Sequence, residues 1–268
     1  MEDPIHAMPG GLDRLAEILR RLRDPETGCP WDREQTHESL APFAIEEAHE
    51  VADAVARRAW DELCLELGDL LLQVVYHARV AEEAGRFDLA AVVGAVSEKM
   101  IARHPHVFGD GPRDRTAEAQ SAAWEATKAA ERARRGETGA LEGVPLALPA
   151  LTRALKLQRR AARVGFDWPD EAGAAEKLAE EAREVEAAEG PEAVAEEMGD
   201  LLFAAVNLAR HRGVDPEGAL RAANRKFERR FRAIEAALAG EGRRPDEATL
   251  AEMDALWEEA KAAERRGG

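Results

Sequence analysis

One acidic pattern occurs twice in the sequence, and its residue types and spacing suit the binding of a metal ion. Each copy reads Glu-Glu-x-x-Glu and is followed, after a gap, by Glu-x-x-Asp. Residues three apart share a face of a helix, so each copy places two pairs of carboxylates on two helix faces. The residues concerned are Glu47, Glu50, Glu66 and Asp69 in the first copy, and Glu181, Glu184, Glu197 and Asp200 in the second.

Four carboxylates that face one another across two antiparallel helices need a counter-charge, because the burial of unpaired carboxylates is prohibitively costly. An all-oxygen ligand set favours a hard divalent cation, so we predict Mg²⁺ at both acidic sets, with Mn²⁺ as the alternative. A single Glu-x-x-Glu pair usually belongs to a solvated helix face. Four such pairs, repeated in order beside apolar stretches, indicate a metal site instead.

Basic and aromatic residues follow each acidic set at matching positions. Lysine and arginine can hold the charge of a phosphate chain, while a bound metal neutralises polyphosphate and activates water. A tryptophan can stack on a flat base, although the Lys/Arg pairs could instead neutralise acidic neighbours within a helical bundle. The pairs are Lys99/Arg103 and Trp124/Lys128 in the first half, and Lys226/Arg230 and Trp257/Lys261 in the second.

The elements that position these residues are all predicted to be helices, since apolar residues recur at helical spacing and no useful strand-like alternation appears. We expect the helix that ends at Arg58 to start at Ser39 or Pro42, with the proline in its first turn. The predicted helices span about 12–23, 39–58, 61–84, 88–103 and 116–135 in the first half, and 150–163, 170–189, 191–212, 215–239 and 246–266 in the second.

Glycine and proline punctuate the chain between the two halves and at its start. Two further loops, 26–32 and 164–169, each hold a tryptophan, Trp31 or Trp168, that could be a core anchor or a contact to a base. We therefore predict an all-α fold of two tandem domains. Its segments are a disordered N-terminus (1–11), a first domain (12–135), a linker (136–149) and a second domain (150–266).

Composition excludes several classes of protein. The net charge of −16 argues against non-specific nucleic-acid binding, which needs a basic surface. No apolar run approaches the roughly 20 residues that span a bilayer, and no signal peptide is expected. Two cysteines form no disulfide framework, so a cytoplasmic location fits.

Longer motifs surround the acidic sets, and with them the sequence resembles the MazG family of nucleoside triphosphate pyrophosphohydrolases. The resemblance covers about residues 12 to 264. It depends on both acidic sets and on the segments Arg23–His37, Arg103–Phe108, Val164–Trp168 and Lys226–Phe231.

The resemblance implies an all-α fold with a four-helix core in each domain and assembly as a homodimer. It also implies Mg²⁺-dependent cleavage between the α and β phosphates of nucleoside triphosphates, giving a monophosphate and pyrophosphate. A water oriented by carboxylates and Mg²⁺ would attack the α-phosphorus in line, with no covalent intermediate.

The same resemblance assigns roles to residues. The carboxylates hold the metal, and Lys226, Arg230, Trp257 and Lys261 match substrate-binding positions of the second domain. In two-domain relatives, catalysis is better supported for the second domain than for the first. We therefore weight Glu181, Glu184, Glu197, Asp200, Lys226 and Arg230 as catalytic, with Trp168, Lys99, Arg103, Trp124 and Lys128 as further candidates for substrate binding.

Several alternatives stay open. Glu46-x-x-His49 could suggest a di-iron bundle, but the second copy has Arg183 at the histidine position. A non-catalytic helical module that binds a nucleotide or a regulatory partner is the rival to an enzyme. An enzyme for one dedicated substrate, such as dUTP or a modified triphosphate, is the narrower alternative. Glu46 and Glu180 could each support the metal ligands or pair with a lysine.

Overall fold

The computed structural model describes residues 3–110, 116, 119, 123, 124, 127, 136 and 139–267. The chain divides into two compact units, Met1–Thr127 and Lys128–Gly268. All regular structure in the described residues is helical, so the prediction of an all-α fold is confirmed. No helix in this part of the chain is both long and apolar enough to cross a membrane.

Helices of the first unit end where local signals place their ends. Asp88 caps the helix that begins at Leu89 by accepting a 2.8 Å hydrogen bond from the backbone N–H of Ala91, as predicted. Gly85 follows the helix that ends at Glu83 and has a φ of +65°, a conformation that glycine adopts without strain. The helices are α1 (Leu12–Leu22), α2 (Pro30–Glu34), α3 (His37–Arg57), α4 (Trp60–Glu83), α5 (Leu89–Arg103) and α6 (Pro105–Phe108).

The first unit is built on the pair α3 and α4, which pack along each other. Only Arg58 and Ala59 join them, so the two helices run antiparallel. Helix α1 packs on α4 and completes a core of buried residues, which are Leu19, Leu40, Val75 and Tyr76. This arrangement brings the two acidic helices of the first copy side by side.

The second unit repeats this plan. Asp215 caps the next-to-last α-helix of the chain by accepting a hydrogen bond from the backbone N–H of Glu217, and Pro216 occupies its first helical position, both as predicted. Helix bounds agree with the predictions to within a few residues. The helices are α7 (Ala150–Arg163), α8 (Glu171–Ala187), α9 (Pro191–His211), α10 (Pro216–Gly240) and α11 (Leu250–Gly267).

Helices α8 and α9 form the second antiparallel pair, joined through Gly190, whose φ is +88°. Helix α7 packs against α9 and α10, and α11 packs against α10. The buried apolar residues of this unit include Leu155, Val206, Ile234 and Leu238. The two acidic helices of the second copy are therefore neighbours, as in the first unit.

Two predictions of the first unit were wrong in detail. Helix α3 begins at His37, because Thr36 and Ser39 form a reciprocal capping box, and Pro42 therefore lies inside the helix rather than in its first turn. The segment expected to be a loop before Asp32 contains α2, which Pro30 starts because its fixed φ suits the first helical position.

The structure near the N-terminus and after α5 also differs from the predictions, and part of the middle of the chain does not test them. Residues Pro4–Ala7, expected to be disordered, form a 3₁₀ turn, and Asp3 beside it binds Arg21 at 2.6 Å. Pro105 ends α5 as expected, but it also starts the single turn α6. Most of the predicted helix at 116–135, with Lys128, lies outside the described residues.

Candidate metal and nucleotide site

The first acidic set contributes three carboxylates to one close group. Oxygen atoms of Glu47 on α3 and of Glu66 and Asp69 on α4 lie within 4.8 Å of one another. The first two side chains are half-buried and Asp69 is exposed. Glu50 is not part of this group of three, but it lies near enough to Glu66 to raise the pKa of that side chain.

Burial and closely spaced negative charges raise the pKa values of two carboxyl groups in this set. Burial raises the pKa of Glu47, and the carboxylates of Asp69, Glu50 and Glu66 raise it further. Burial also raises the pKa of Glu66, as does its hydrogen bond with Glu50. Carboxylates that raise one another's pKa in a partly buried group are short of positive counter-charge.

The second acidic set forms a comparable group. Oxygen atoms of Glu181 and Glu184 on α8 and of Glu197 on α9 lie within 4.8 Å of one another. Asp200 lies one turn beyond Glu197 on α9, is exposed, and is not part of this close group. Burial raises the pKa of Glu184, and a hydrogen bond with Glu181 adds to the effect of burial.

Glu181 is the most buried carboxylate of the two sets, with 5 % of its surface exposed. Its Oε2 atom has no hydrogen-bond partner among the described residues. A buried carboxylate oxygen without a partner costs free energy, so this atom calls for a cation or a donor.

A lysine that the sequence analysis missed lies at the second group. The Nζ atom of Lys177 is 2.7 Å from Oε1 of Glu181, 3.0 Å from Oε1 of Glu180 and 3.9 Å from Oε2 of Glu184. Hydrogen bonds to Glu181 and Glu180 raise the pKa of Lys177, so its ammonium stays charged. Its position four residues before Glu181 on one helix face was the available signal.

The donor sets of both units fit a hard divalent cation. All of the grouped ligand atoms are carboxylate oxygens that converge within 4.8 Å, and the buried Oε2 atom of Glu181 has no hydrogen-bond partner among the described residues. Oxygen ligands of this kind suit Mg²⁺ and Mn²⁺. Lys177 supplies part of the counter-charge in the second unit, whereas the first unit has Phe43 at the matching position.

Four of the predicted substrate-binding residues in the second unit lie on the facing helices α10 and α11. The guanidinium carbon of Arg230 is 5.3 Å from the ring centre of Trp257, which makes a cation–π contact. Arg230 also pairs with Glu264 at 2.8 Å. Lys261 is paired with Glu258 at 2.6 Å, and Lys226 is exposed. Arg230 and Trp257 are thus brought together by α10 and α11.

The corresponding residues of the first unit are only partly described. The indole N–H of Trp124 donates a 3.1 Å hydrogen bond to the carbonyl oxygen of Arg103. Its ring meets that of His104 edge-on, with 5.0 Å between the ring centres. Lys99 is exposed on α5, and Lys128 is outside the described residues. The structure therefore places Trp124 next to Arg103.

Trp168 lies at a cavity of about 490 Å³ between α7, the loop before α8, and α9. Its indole ring lies directly over Gly173, where an added Cβ atom would be 2.7 Å from Cε3 of the ring. Asp167 beside it pairs with Arg210 at 2.9 Å. Trp31, its counterpart in the first unit, meets Phe43 edge-on with 6.4 Å between ring centres.

Comparison with known protein families gives a match in each half of the chain. Residues 35–108 match the family described as MazG nucleotide pyrophosphohydrolase domain. Residues 148–227 match the family described as phosphoribosyl-ATP pyrophosphohydrolase. Both descriptions name a pyrophosphohydrolase, and the two matched ranges contain all eight carboxylates of the repeated pattern.

Similar proteins cover nearly the whole chain. Nucleoside triphosphate pyrophosphohydrolase of Escherichia coli (strain K12) is 48 % identical over 94 % of this chain and 98 % of its own length. Nucleoside triphosphate pyrophosphohydrolase/pyrophosphatase MazG of Thermotoga maritima is 44 % identical over 94 % of this chain and 96 % of its own length. The chain belongs to the MazG family of nucleoside triphosphate pyrophosphohydrolases.

Proposed function

We propose that this chain hydrolyses nucleoside triphosphates between the α and β phosphates, releasing a monophosphate and pyrophosphate, and that the reaction depends on Mg²⁺ or Mn²⁺. The observation that carries the metal dependence is the group formed by Glu181, Glu184 and Glu197, in which one buried carboxylate oxygen has no hydrogen-bond partner in the part of the chain that the structure describes. A carboxylate group of this kind is a ready site for a divalent cation that holds phosphate oxygens.

The metal ligands we propose are the four carboxylates of each set. They are Glu181, Glu184, Glu197 and Asp200 in the second unit, and Glu47, Glu50, Glu66 and Asp69 in the first. A divalent cation in such a site neutralises phosphate charge and lowers the pKa of water. A carboxylate not fully occupied with the metal would accept the proton of the attacking water.

The substrate contacts we propose lie on the later helices. Lys226 and Arg230 hold phosphate charge, because a guanidinium and an ammonium bind phosphate oxygens and gain strength as charge develops on the leaving group. Trp257 and Lys261 complete this surface, and Trp168 contacts the base. In the first unit the same roles would go to Lys99, Arg103, Trp124 and Lys128.

We propose that the second unit is the principal catalyst. Its carboxylate Glu181 is more buried than any carboxylate of the first set, which strengthens electrostatic interactions within the site. It also combines a cation–π pair, Arg230 and Trp257, with an open cavity at Trp168. The first unit retains its own carboxylate group, so we do not treat it as inactive.

We also propose that the active form is a homodimer. Large apolar side chains stay exposed along one stripe of α4, at Leu67, Leu71 and Val74. The matching helix α9 has a similar stripe, at Val194, Met198 and Leu202. Stripes of this kind at helical spacing are typical of a face that packs on another helix, and a second copy of the chain supplies one. Leu71→Glu and Leu202→Glu should shift the mass measured by analytical ultracentrifugation towards the monomer.

A cytoplasmic location is part of the same proposal. Cys29 and Cys64 are both free thiols, which suits a reducing compartment. Fractionation of cells that express the chain with its own termini would test this location.

The decisive experiment is pyrophosphate release from a nucleotide panel with Mg²⁺, Mn²⁺ or a chelator. The panel contains the common ribo- and deoxyribonucleoside triphosphates, dUTP and phosphoribosyl-ATP. Two variants accompany the intact protein: Glu66→Gln with Asp69→Asn, and Glu197→Gln with Asp200→Asn. Loss of activity in the second variant alone would assign catalysis to the second unit, and partial loss in each would assign it to both.

Other outcomes would support the rivals. Activity on a single member of the panel would favour a dedicated enzyme. Absence of pyrophosphate release with every nucleotide would reject the enzyme and favour a module that binds nucleotides or a regulatory partner. Activity that persists in the chelator would reject the metal dependence.

A further inference from the structure

The cavity at Trp168 combines a large apolar wall with a small number of polar groups. Leu157, Phe166 and Phe203 contribute apolar surface, and Gln158 and Asn207 contribute side-chain amides. Its volume of about 490 Å³ is within the range of small-molecule sites, which are typically apolar with a few placed polar groups.

Gln158 is the polar group of this cavity that is least satisfied. Its side chain is 7 % exposed, and its Nε2 atom donates a 2.8 Å hydrogen bond to the carbonyl oxygen of Phe203. Its Oε1 atom is buried and has no hydrogen-bond partner among the described residues. A buried amide oxygen without a donor costs free energy, and a ligand with an N–H group could relieve this cost.

The first unit has different residues at both amide positions. Tyr76 lies seven residues after Asp69, as Asn207 lies seven after Asp200, and each is followed three residues later by arginine. Leu19 precedes Arg20-Arg21 as Gln158 precedes Arg159-Arg160. The two amides of the second unit are therefore replaced by a leucine and a tyrosine in the first.

The leucine and the tyrosine are packed into the core of the first unit. Leu19 is fully buried and Tyr76 is 4 % exposed, and both belong to the same hydrophobic core. The Tyr76 hydroxyl donates a 2.7 Å hydrogen bond to Asp32, and the guanidinium carbon of Arg23 lies 5.7 Å from the Tyr76 ring centre. These contacts hold the side chain of Tyr76 in one position in the core.

We propose that the cavity is the nucleobase subsite of the second unit, with Gln158 and Asn207 reading the edge of the base, and that Tyr76 fills the equivalent space in the first unit. This inference rests on the proposed function. The selectivity of the chain for bases is then a property of its second unit alone.

The position of the cavity relative to the carboxylates supports this assignment. Asp200, Phe203 and Asn207 share one face of α9, because they are three and four residues apart. With a rise of about 1.5 Å per residue, Asn207 lies roughly 10 Å along the helix from Asp200. A ribose can bridge phosphates at the carboxylates and a base in the cavity.

The chemistry of the lining favours a base over an aliphatic ligand. A flat ring can stack on Trp168 or Phe203, and such stacking is tolerant of which base is bound. The oxygen of Gln158 that has no partner among the described residues can accept a hydrogen bond. The exocyclic amino groups and the ring imide N–H groups of bases can donate one. Bases that present such an N–H to Gln158 gain affinity over those that do not.

The test introduces the residue of the first unit into the second. Asn207→Tyr should fill the cavity, whereas the matched control Asn207→Leu removes the amide without adding comparable volume. Both changes are made with Glu66→Gln and Asp69→Asn, so that the second unit alone is measured. Readouts are KM for four ribonucleoside triphosphates and Kd for their α,β-methylene analogues by calorimetry with Mg²⁺.

We expect Asn207→Tyr to raise Kd and KM by tenfold or more, and Asn207→Leu to have a smaller effect. Inorganic triphosphate, a competitor without a base, should bind both variants as it binds the parent. An unchanged Kd for the analogues in folded Asn207→Tyr protein would overturn the subsite. Should that variant not fold, Ala161→Phe, which fills the cavity from α7, takes its place.

Gln158→Leu, which introduces the residue of the first unit, tests whether Gln158 discriminates between bases. It should narrow the spread of Kd among the four analogues, and an unchanged spread would reject the role of Gln158. Binding of analogues is measured without turnover, so it tests the subsite independently. A parent protein that binds analogues selectively but releases no pyrophosphate would reject the proposed function and leave the subsite supported.

Discussion

The ammonium group of Lys177 lies 2.7 Å from Oε1 of Glu181, so the second unit carries a positive charge against its own carboxylate group. The first unit has Phe43 at the matching position, four residues before Glu47. Two acidic sets that look alike in sequence therefore differ by one unit of charge next to the ligands. A cation that binds the second set must compete with this ammonium.

We expect the two units to differ in metal affinity for this reason. Lys177→Met should strengthen Mn²⁺ binding by the second unit roughly tenfold, because a nearby positive charge opposes a divalent cation even at high dielectric. Phe43→Lys should weaken binding by the first unit to a similar extent. Calorimetric titration measures each unit after the acidic pair of the other is neutralised by Gln and Asn. Equal affinities in Lys177→Met and its parent would contradict this expectation.

The stabilising effect of metal on the first unit should depend on pH in a defined direction. The pKa values of Glu47 and Glu66 are raised above their ordinary value of 4.5, chiefly by burial. Without metal, the stability that this protonation gives is fully present below pH 4.5 and is lost as pH rises through the raised pKa values. Metal binds the deprotonated form, so its benefit appears over the same range.

We therefore expect the difference in Tm between protein with Mg²⁺ and protein with a chelator to be small near pH 4.5 and to grow towards neutral pH. The control is Glu66→Gln with Asp69→Asn, in which the contribution of the first unit should be absent. A difference in Tm that is independent of pH would show that these carboxylates do not control metal binding.

Gly173 should be required for the placement of Trp168. A Cβ atom at this position would lie 2.7 Å from Cε3 and 2.8 Å from Cδ2 of the indole, which is a rigid ring, so Gly173→Ala must displace it. We expect a several-fold rise in KM for nucleotides and a shift in tryptophan fluorescence. Gly240→Ala is the matched control, because an added Cβ there meets no atom within 4 Å. Equal KM values in both variants would separate Trp168 from substrate binding.

Tyr76, the single tyrosine of the chain, should resist ionisation. Burial raises its pKa, and the hydrogen bond to Asp32 raises it further. In a spectrophotometric titration, phenolate absorbance should therefore appear well above the ordinary pKa of 10 in folded protein and near 10 in denaturant. Because the unfolded chain loses this proton first, the free energy of unfolding should fall as pH rises above 10.

Tyr76→Phe is the control for the hydrogen bond. It should lower the free energy of unfolding by about 1–3 kcal/mol, because the buried carboxylate of Asp32 loses a donor. Ionisation of Tyr76 near pH 10 in the folded protein would show that the side chain is not held as described.

Features that depend on neighbouring residues could be predicted from the sequence. Helix periodicity, the caps at Asp88 and Asp215, and the carboxylates three residues apart all follow from local geometry. The same local reasoning predicts too late a start for α3, because the capping box of Thr36 and Ser39 starts this helix at His37. It also missed α2, where a proline starts a helix rather than a loop.

Contacts between distant segments required the tertiary structure. The sequence predicted four carboxylates in each set, and the register of the paired helices brings three of each together within 4.8 Å. The position of Lys177 against Glu181, and of Arg230 against Trp257, depends on side-chain direction and helix packing. Spacing along one helix does not specify either of these.

The sequence by itself thus determined the helical fold, the repeated acidic sets and the family. Only the tertiary structure decided that Gln158 and Asn207 line an open cavity while Leu19 and Tyr76 fill a core. The physical reason is that helix periodicity is fixed within a few residues, whereas a cavity depends on the volumes of side chains contributed by separate helices. Two halves with one pattern can therefore differ in what they bind.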